Sequence, residues 1–300
     1  MKTIIPHFWF DKQAVEAAEF YTSLLPNSTV INTARIHNTP SGDCDIVTFT
    51  LAGQTFMAIS AGPVFSFNPS ISFHINCKTV EDVNQLWEKL KVGGTILMDL
   101  GEYPFSKRFG WLNDKYGLSW QIIYAGERPI HQTITPALTF VGRVVGCAEE
   151  AMKLYTSVFA EKTGVAHSKI ITTTRYGNTG GPDKEGTIQL ASFMLGGLEF
   201  VAMDSAYDHQ FAFNEAVSLI IPCDTQKEID YFWEKLSADP KAEQCGWLKD
   251  KFGVSWQVWP AVIGEMMRQG TQAQIDRVTQ AFLPMKKFDI ATLEKAFNAT

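Results

Sequence analysis

The chain has 300 residues, of which 45% are hydrophobic, 12% aromatic and 19% charged, and its 26 basic and 32 acidic side chains leave a formal charge of −6. That length divides into about two domains with cores of their own, and the composition excludes a disordered chain. Without a Lys/Arg run the acidic balance argues against nucleic acid, and no apolar run nears the roughly 18 residues of a bilayer span, so neither partner is expected.

Pro6, Asp11 and Lys12 interrupt the start before a secretory apolar region can form, and the expectation is a cytoplasmic protein. Five cysteines (Cys44, Cys77, Cys147, Cys223 and Cys245) make an odd count without a CxxC pair. They read as reduced, mostly buried thiols rather than a disulfide framework or a zinc site.

In chain order, Ile5 to Phe10 reads as a strand, and Ala14, Ala18, Tyr21 and Leu25 follow at helical spacing. Residues 47–51 and 55–59, bounded by Gly42, Gly53 and Gly62, read as hairpin strands. A strand over 71–77 precedes a helix that Thr79 caps, with Val83, Leu86, Trp87 and Leu90 on its apolar face. Residues 110–121, GWLNDKYGLSWQ, close this stretch. Here Asp114, Lys115 and Gly117 predict a tight turn, and Ser119 has no histidine near it in sequence to serve as a base.

The chain then repeats itself. GWLKDKFGVSWQ at 246–257 matches the first closing segment at nine of twelve positions. IIPHFWF recurs as ITPALTF, GQTFMAI as GLEFVAM and WEKL as WEKL, always in the same order. Each repeat reads as two βαβββ modules, so four lie end to end. Residues 1–128 and 129–260 are the two repeats, each expected to form a domain whose two modules share one sheet, and in the second Thr225 and Glu228 form a capping box. Lys107 and Arg108 fall in what reads as a loop about ten residues longer than its counterpart after Ser237. From 261 to 300 the pattern is helical, with caps at Thr271 and Asp289 and a staple of Phe288 with Leu293, an appendage expected to cover an edge or an interface.

The opening IIPHFWFDKQAVEAAEFYTSLLPNS, the D-K-x-G-x-S-W-Q close of each repeat and the ending PMKKFDIATLEKAF resemble the vicinal oxygen chelate superfamily of glyoxalases, bleomycin-resistance proteins and extradiol dioxygenases. Within it, the chain is most similar to the PhnB-like branch, labelled 3-demethylubiquinone-9 3-methyltransferase domain proteins. The resemblance implies an α+β fold: four βαβββ modules forming two curved eight-stranded half-barrel sheets with outer helices, plus the C-terminal helical tail. It also implies an intramolecular pseudo-dimer, with further homodimerisation left open.

Superfamily enzymes hold a divalent metal with one His, Gln or Glu from particular strands. In the first repeat the resemblance maps this set to His7, His74 and Gln121, with the fourth position near Met57 or Ala58. In the second, Ala137 and Ile220 replace the histidines and only Gln257 remains. Two imidazoles and an amide fall short of a usual site, so no cofactor is expected, and a metal is left to the first repeat alone. The glycine pairs 93–94, 180–181 and 196–197 form no G-x-G-x-x-G, so the methyltransferase label gains no support from a donor-binding motif.

The cavity implied by the resemblance has His7, Trp9, His74, Trp111, Gln121, Trp247 and Gln257 as candidate ligand-binding residues, its aromatic walls suited to a flat or apolar small molecule. Trp120, Trp256 and Phe67 join that aromatic set, with core packing the commoner fate of such rings. Three functions follow: binding or sequestering a small organic molecule, a metal-dependent lyase, isomerase or dioxygenase confined to the first repeat, or a structural and assembly module.

Overall fold

The computed structural model describes residues 3–178 and 180–299. The first module is β1 (Ile5–Phe10), α1 (Ala14–Thr22), β2 (Thr29–Thr39), β3 (Gly42–Leu51) and β4 (Gln54–Ser60). The second is β5 (Ile71–Cys77), α2 (Val80–Leu90), β6 (Thr95–Tyr103), β7 (Ser106–Asn113) and β8 (Ser119–Tyr124). The third is β9 (Ile134–Phe140), α3 (Ala148–Thr163), β10 (Lys169–Arg175), β11 (Ile188–Leu195) and β12 (Leu198–Asp204). The fourth has only β13 (Val217–Cys223), α4 (Gln226–Leu236), β14 (Trp247–Lys249) and β15 (Ser255–Pro260), before the tail helices α5 (Ala261–Gln269), α6 (Gln272–Phe282) and α7 (Ile290–Asn298).

The expectation that each repeat closes its own sheet is corrected by the pairing. One compact unit joins the chain up to Ser23, Asn27–Phe65 and everything from Asn214 onward, and the other takes Leu24–Pro26 and Ser66–Phe213. The first unit's sheet runs β14-β15-β13-β1-β4-β3-β2, combining modules one and four. The second unit's sheet runs β10-β11-β12-β9-β5-β8-β7-β6, combining modules two and three. Each module leaves one strand edge to be paired, and duplication supplies two equivalent partners for it. Here β1 takes β13, placing His7 opposite Ser218, and β5 takes β9, placing Ser72 opposite Ala137.

One sheet has seven strands rather than the expected eight. The segment around Lys107 and Arg108, read from sequence as a long loop, is the β6–β7 hairpin, and it adds the eighth strand to the second unit. In the first unit α4 is followed by a short connection to a three-residue β14, and no strand takes the equivalent edge among the described residues. The appendage covers that edge instead. Cys245 N–H donates to Met285 O at 2.8 Å and Gly246 N–H to Lys286 O at 2.7 Å. At the opposite edge of the same sheet, Gln272 on α6 donates to Arg35 O at 3.0 Å, and His37 Nδ1 lies 3.0 Å from Asp276 Oδ1. Backbone groups that an open edge would leave to solvent or to a foreign strand are thereby paired in the chain.

Alternation along the strands sorts each sheet into two faces. In the first unit Phe8, Phe49 and Phe56 are fully buried on the helix side, where the ring of Phe8 also meets Tyr21 of α1. Ile5, His7, Trp9, Met57, Ser218, Ile220 and Gln257 fall on the inner face. The caps stand where the pattern placed them: Thr79 with Asp82 and Thr271 with Gln274 form full capping boxes, and Asp289 caps α7. Thr225 caps α4 through Glu228 N–H, but the returning Glu228 carboxylate accepts from Asp224 instead, so that box is open by one residue.

Candidate functional site

The closing motif is built the same way in both units. Asp114 Oδ1 accepts from the N–H groups of Tyr116 and Leu118, and its Oδ2 accepts from Trp120 Nε1 at 2.8 Å. Asp250 repeats this with Phe252, Val254 and Trp256, again at 2.8 Å to the indole. Gly117 and Gly253 each take φ near 90°, which completes the predicted turn. Trp120 and Trp256 are therefore core rings locked by a buried carboxylate and do not belong to a binding wall. The D-x5-W spacing, present twice, was the signal for this lock.

On the inner face of the first unit, His7 stands between Ser218 of β13 and Met57 of β4. Gln257 Nε2 donates to Ser218 Oγ at 2.9 Å, and Ser218 Oγ lies 3.5 Å from His7 Nδ1. Having accepted from the amide, the hydroxyl keeps its proton for Nδ1, which favours the Nε2–H tautomer of His7. Burial pushes the His7 pKa down to about 3, so the ring is neutral at physiological pH. Trp247 meets that ring edge-on at 5.5 Å and Trp9 at 6.0 Å, while Trp9 Nε1 is tied to Gly62 O at 2.8 Å.

A cavity of about 590 Å³ opens beside this cluster. Ile5, Ile31, Met57, Ile220 and Trp259 supply its apolar wall, and Ala261, Gly264 and Arg268 of α5 line it from the tail. Met57, the register partner of His7, joins the cluster to the cavity. His7, Trp9, Trp247 and Gln257 share the inner face but do not themselves line this cavity. The residues that do are mostly apolar, with Asn32, Thr48, Gln54, Thr55 and Arg268 among them, and their convergence depends on β1 pairing with β13 and on α5 folding back, neither of which spacing reveals.

In the second unit, His74 stands between Gln121 and Thr135 in register, and Gln121 Nε2 donates to Ser72 Oγ at 2.9 Å. Burial lowers the His74 pKa to about 4, against a smaller opposing hydrogen bond to Gln121, and its Nε2 is buried without a hydrogen-bond partner among the described residues. Trp111 is anchored by Nε1 donating to Ser119 Oγ at 2.8 Å. Its counterpart Trp247 turns toward His7 instead, and Ser255 Oγ is left buried and without a partner among the described residues.

The metal set that the resemblance maps onto the first repeat is thus divided. His7 belongs to the first unit, His74 and Gln121 to the second. No group of three His, Cys, Asp or Glu converges among the described residues. The orphaned His74 Nε2 has one amide beside it, whereas a divalent ion in such a site takes three or four good donors, so these residues do not fit one. All five cysteines are free thiols, three of them buried, and burial pushes Cys77 up to about 12, which makes it a poor nucleophile.

Paired βαβββ modules forming curved sheets with helices on one face define the glyoxalase-like class of the vicinal oxygen chelate superfamily. The profile of the family described as 3-demethylubiquinone-9 3-methyltransferase matches residues 2–123 and again 132–259, and the chain belongs to that family, the PhnB-like branch. Glyoxalase I from Zea mays shares the fold at a TM-score of 0.53 and 12% identity, over 87% of this chain and 93% of that one. A putative 3-demethylubiquinone-9 3-methyltransferase, the PhnB protein from Bacillus cereus, is 43% identical over 41% of this chain and all of its own, with a TM-score of 0.39. Protein PA1353 from Pseudomonas aeruginosa is 20% identical over 42% of this chain and all of its own, with a TM-score of 0.38. No curated protein matches the chain.

Proposed function

We propose that this protein binds a small organic molecule in the first unit's cavity. The observation that carries the reading is the cavity itself: about 590 Å³, walled by Ile5, Ile31, Met57, Ile220 and Trp259, within the size range of pockets that engulf a drug-sized ligand. Burial of apolar area and stacking on Trp259 supply the affinity, and the neutral His7–Ser218–Gln257 chain lies next to it as an uncharged hydrogen-bonding group. A purely structural module gains little from an inner face left open in this way. Methyl transfer is not part of the proposal: Gly93 and Gly94 lie between α2 and β6, and Gly196 and Gly197 in the β11–β12 hairpin, so neither pair makes the glycine-rich strand-to-helix turn of a nucleoside-binding fold.

The free thiols and the acidic charge suit a cytoplasmic setting without nucleic-acid partners, and no helix among the described residues is long and apolar enough to cross a membrane. The test is a titration with the neutral fluorophore Nile red. Saturable binding of one dye per chain is expected, and Met57→Trp, which fills the cavity with a larger ring, abolishes it. Dye binding that is non-saturable, or indifferent to Met57→Trp, rejects the reading.

A further inference from the structure

We infer that the ligand of the first unit's cavity is an organic monoanion, a carboxylate on an apolar body, and that Arg268 selects it; this rests on the cavity reading above. Among the described residues Arg268 is the one charged side chain lining the cavity, and no Asp or Glu joins it there. It sits in the last turn of α5, and among the described residues its guanidinium pairs only with Glu265, one turn earlier. Both side chains of that pair are more than half exposed, at 53% and 57%, so water and salt screen it and a ligand carboxylate competes for the guanidinium. The Glu265 carboxylate also accepts from Gln269 Nε2 at 3.0 Å, so it keeps a donor when Arg268 turns to a ligand.

A second, independent feature marks the same cavity as made for a polar group. Gln54 lines it, and both polar atoms of the Gln54 amide are buried without a hydrogen-bond partner among the described residues. Buried amides are nearly always satisfied, so this one has a donor and an acceptor to offer a ligand in the cavity. Asn32, Thr48 and Thr55 add further neutral hydrogen-bonding groups at the cavity. One cation, partly neutralised by Glu265, with neutral donors around it and an apolar wall behind, matches a single negative charge better than a dianion. The guanidinium fork meets the two oxygens of a carboxylate.

The experiment compares naphthoate with its neutral amide, naphthamide, by titration calorimetry on the full chain. Wild type is expected to bind the acid about 5- to 20-fold more tightly than the amide, the range a screened charge-assisted contact supplies. Arg268→Gln brings the two affinities together by weakening the acid alone, and it abolishes the loss of acid binding that rising salt causes in wild type. Retained Nile red binding by that variant shows that the cavity is intact. Equal binding of acid and amide by wild type overturns the monoanion assignment and leaves the cavity reading standing. A preference that survives Arg268→Gln overturns the role of Arg268. Binding of neither compound, or binding that Met57→Trp does not disturb, overturns the cavity reading and the inference with it.

Discussion

The same glycine opens the closing segment of both units, but a different ring presses on it in each. In the second unit a Cβ at Gly110 would lie 2.7 Å from Cε3 of Trp87, a nearly buried ring on α2. In the first unit the matching helix residue, Trp233, is only half-buried, and the ring on Gly246 is Phe288 from the tail, its Cδ2 2.7 Å from where a Cβ would stand. One unit finishes its sheet with β6 and its own helix. The other has lost that strand and recruits a segment from outside the repeat for both edge pairing and core. The appendage is therefore part of the first unit's core, which explains how its α5 comes to line a cavity.

Removing that ring is expected to have the largest effect. Phe288 is completely buried and meets Trp259 at 5.5 Å and Phe282 at 6.0 Å. Phe288→Ala should cost about 3–5 kcal/mol, with loss of hydrogen-exchange protection concentrated in β14 and β15 rather than in β7 and β8. Loss spread evenly over both closing segments would break the contrast. Next come the glycines themselves. Gly246→Ala combines overlap with Phe288 and a φ of 80° that an alanine adopts at a cost, while Gly110→Ala has the overlap alone. Denaturant melts should show about 2–5 kcal/mol for the first and about 1–3 kcal/mol for the second. A reversed order would mean that the Phe288 ring yields more easily than the helix-borne Trp87.

Much of this was legible before any coordinates. The repeats, the capped helices, the turns at Asp114 and Asp250 and an appendage over an edge all rest on local chemistry, which a single sequence carries. Trp9, Trp111 and Trp247 fall on inner faces as the strand period implies. Module exchange was invisible, because β1 meets β13 or β5 through the same backbone groups and repeats this similar do not choose between them. Calling Lys107 and Arg108 a loop hid β6, whose exposed, irregular pattern of burial follows from its place at the sheet edge. The cavity stayed hidden for a related reason: Ile31, Met57 and Trp259 come from distant segments and share no motif.

The single histidine of each inner face offers a third comparison, through pH. Burial lowers His7 to about 3 and His74 to about 4, below the value near 6.5 that an unfolded chain gives them. The neutral rings belong to the folded state, so their contribution is fully present above about pH 6.5 and is lost as pH falls toward the folded values. Between those limits the unfolded chain binds more protons, and stability falls on acidification. Comparing stabilities at pH 7 and about pH 4.5, His7→Gln should reduce that fall by about 2–3 kcal/mol, the linkage from one buried imidazole over that window. An acid loss of the same size with and without His7 would show that the ring is hydrated in solution.

The smallest effect tests the pair of serines that the closing motif shares. Ser119 Oγ accepts from Trp111 Nε1 at 2.8 Å, so Ser119→Ala leaves a half-buried indole donor without its partner and should cost about 1 kcal/mol. Ser255 Oγ is buried with no partner among the described residues, because Trp247 has turned to lie edge-on against His7. An unsatisfied hydroxyl is already a cost to the fold, and Ser255→Ala removes it with little change in volume, so that substitution should be neutral or stabilising by a few tenths of a kcal/mol. Paired melts of the two alanine variants read the difference directly. If both lose the same stability, Trp247 spends its time on Ser255 as Trp111 does on Ser119, and the His7–Trp247 contact beside the cavity is not the resting arrangement.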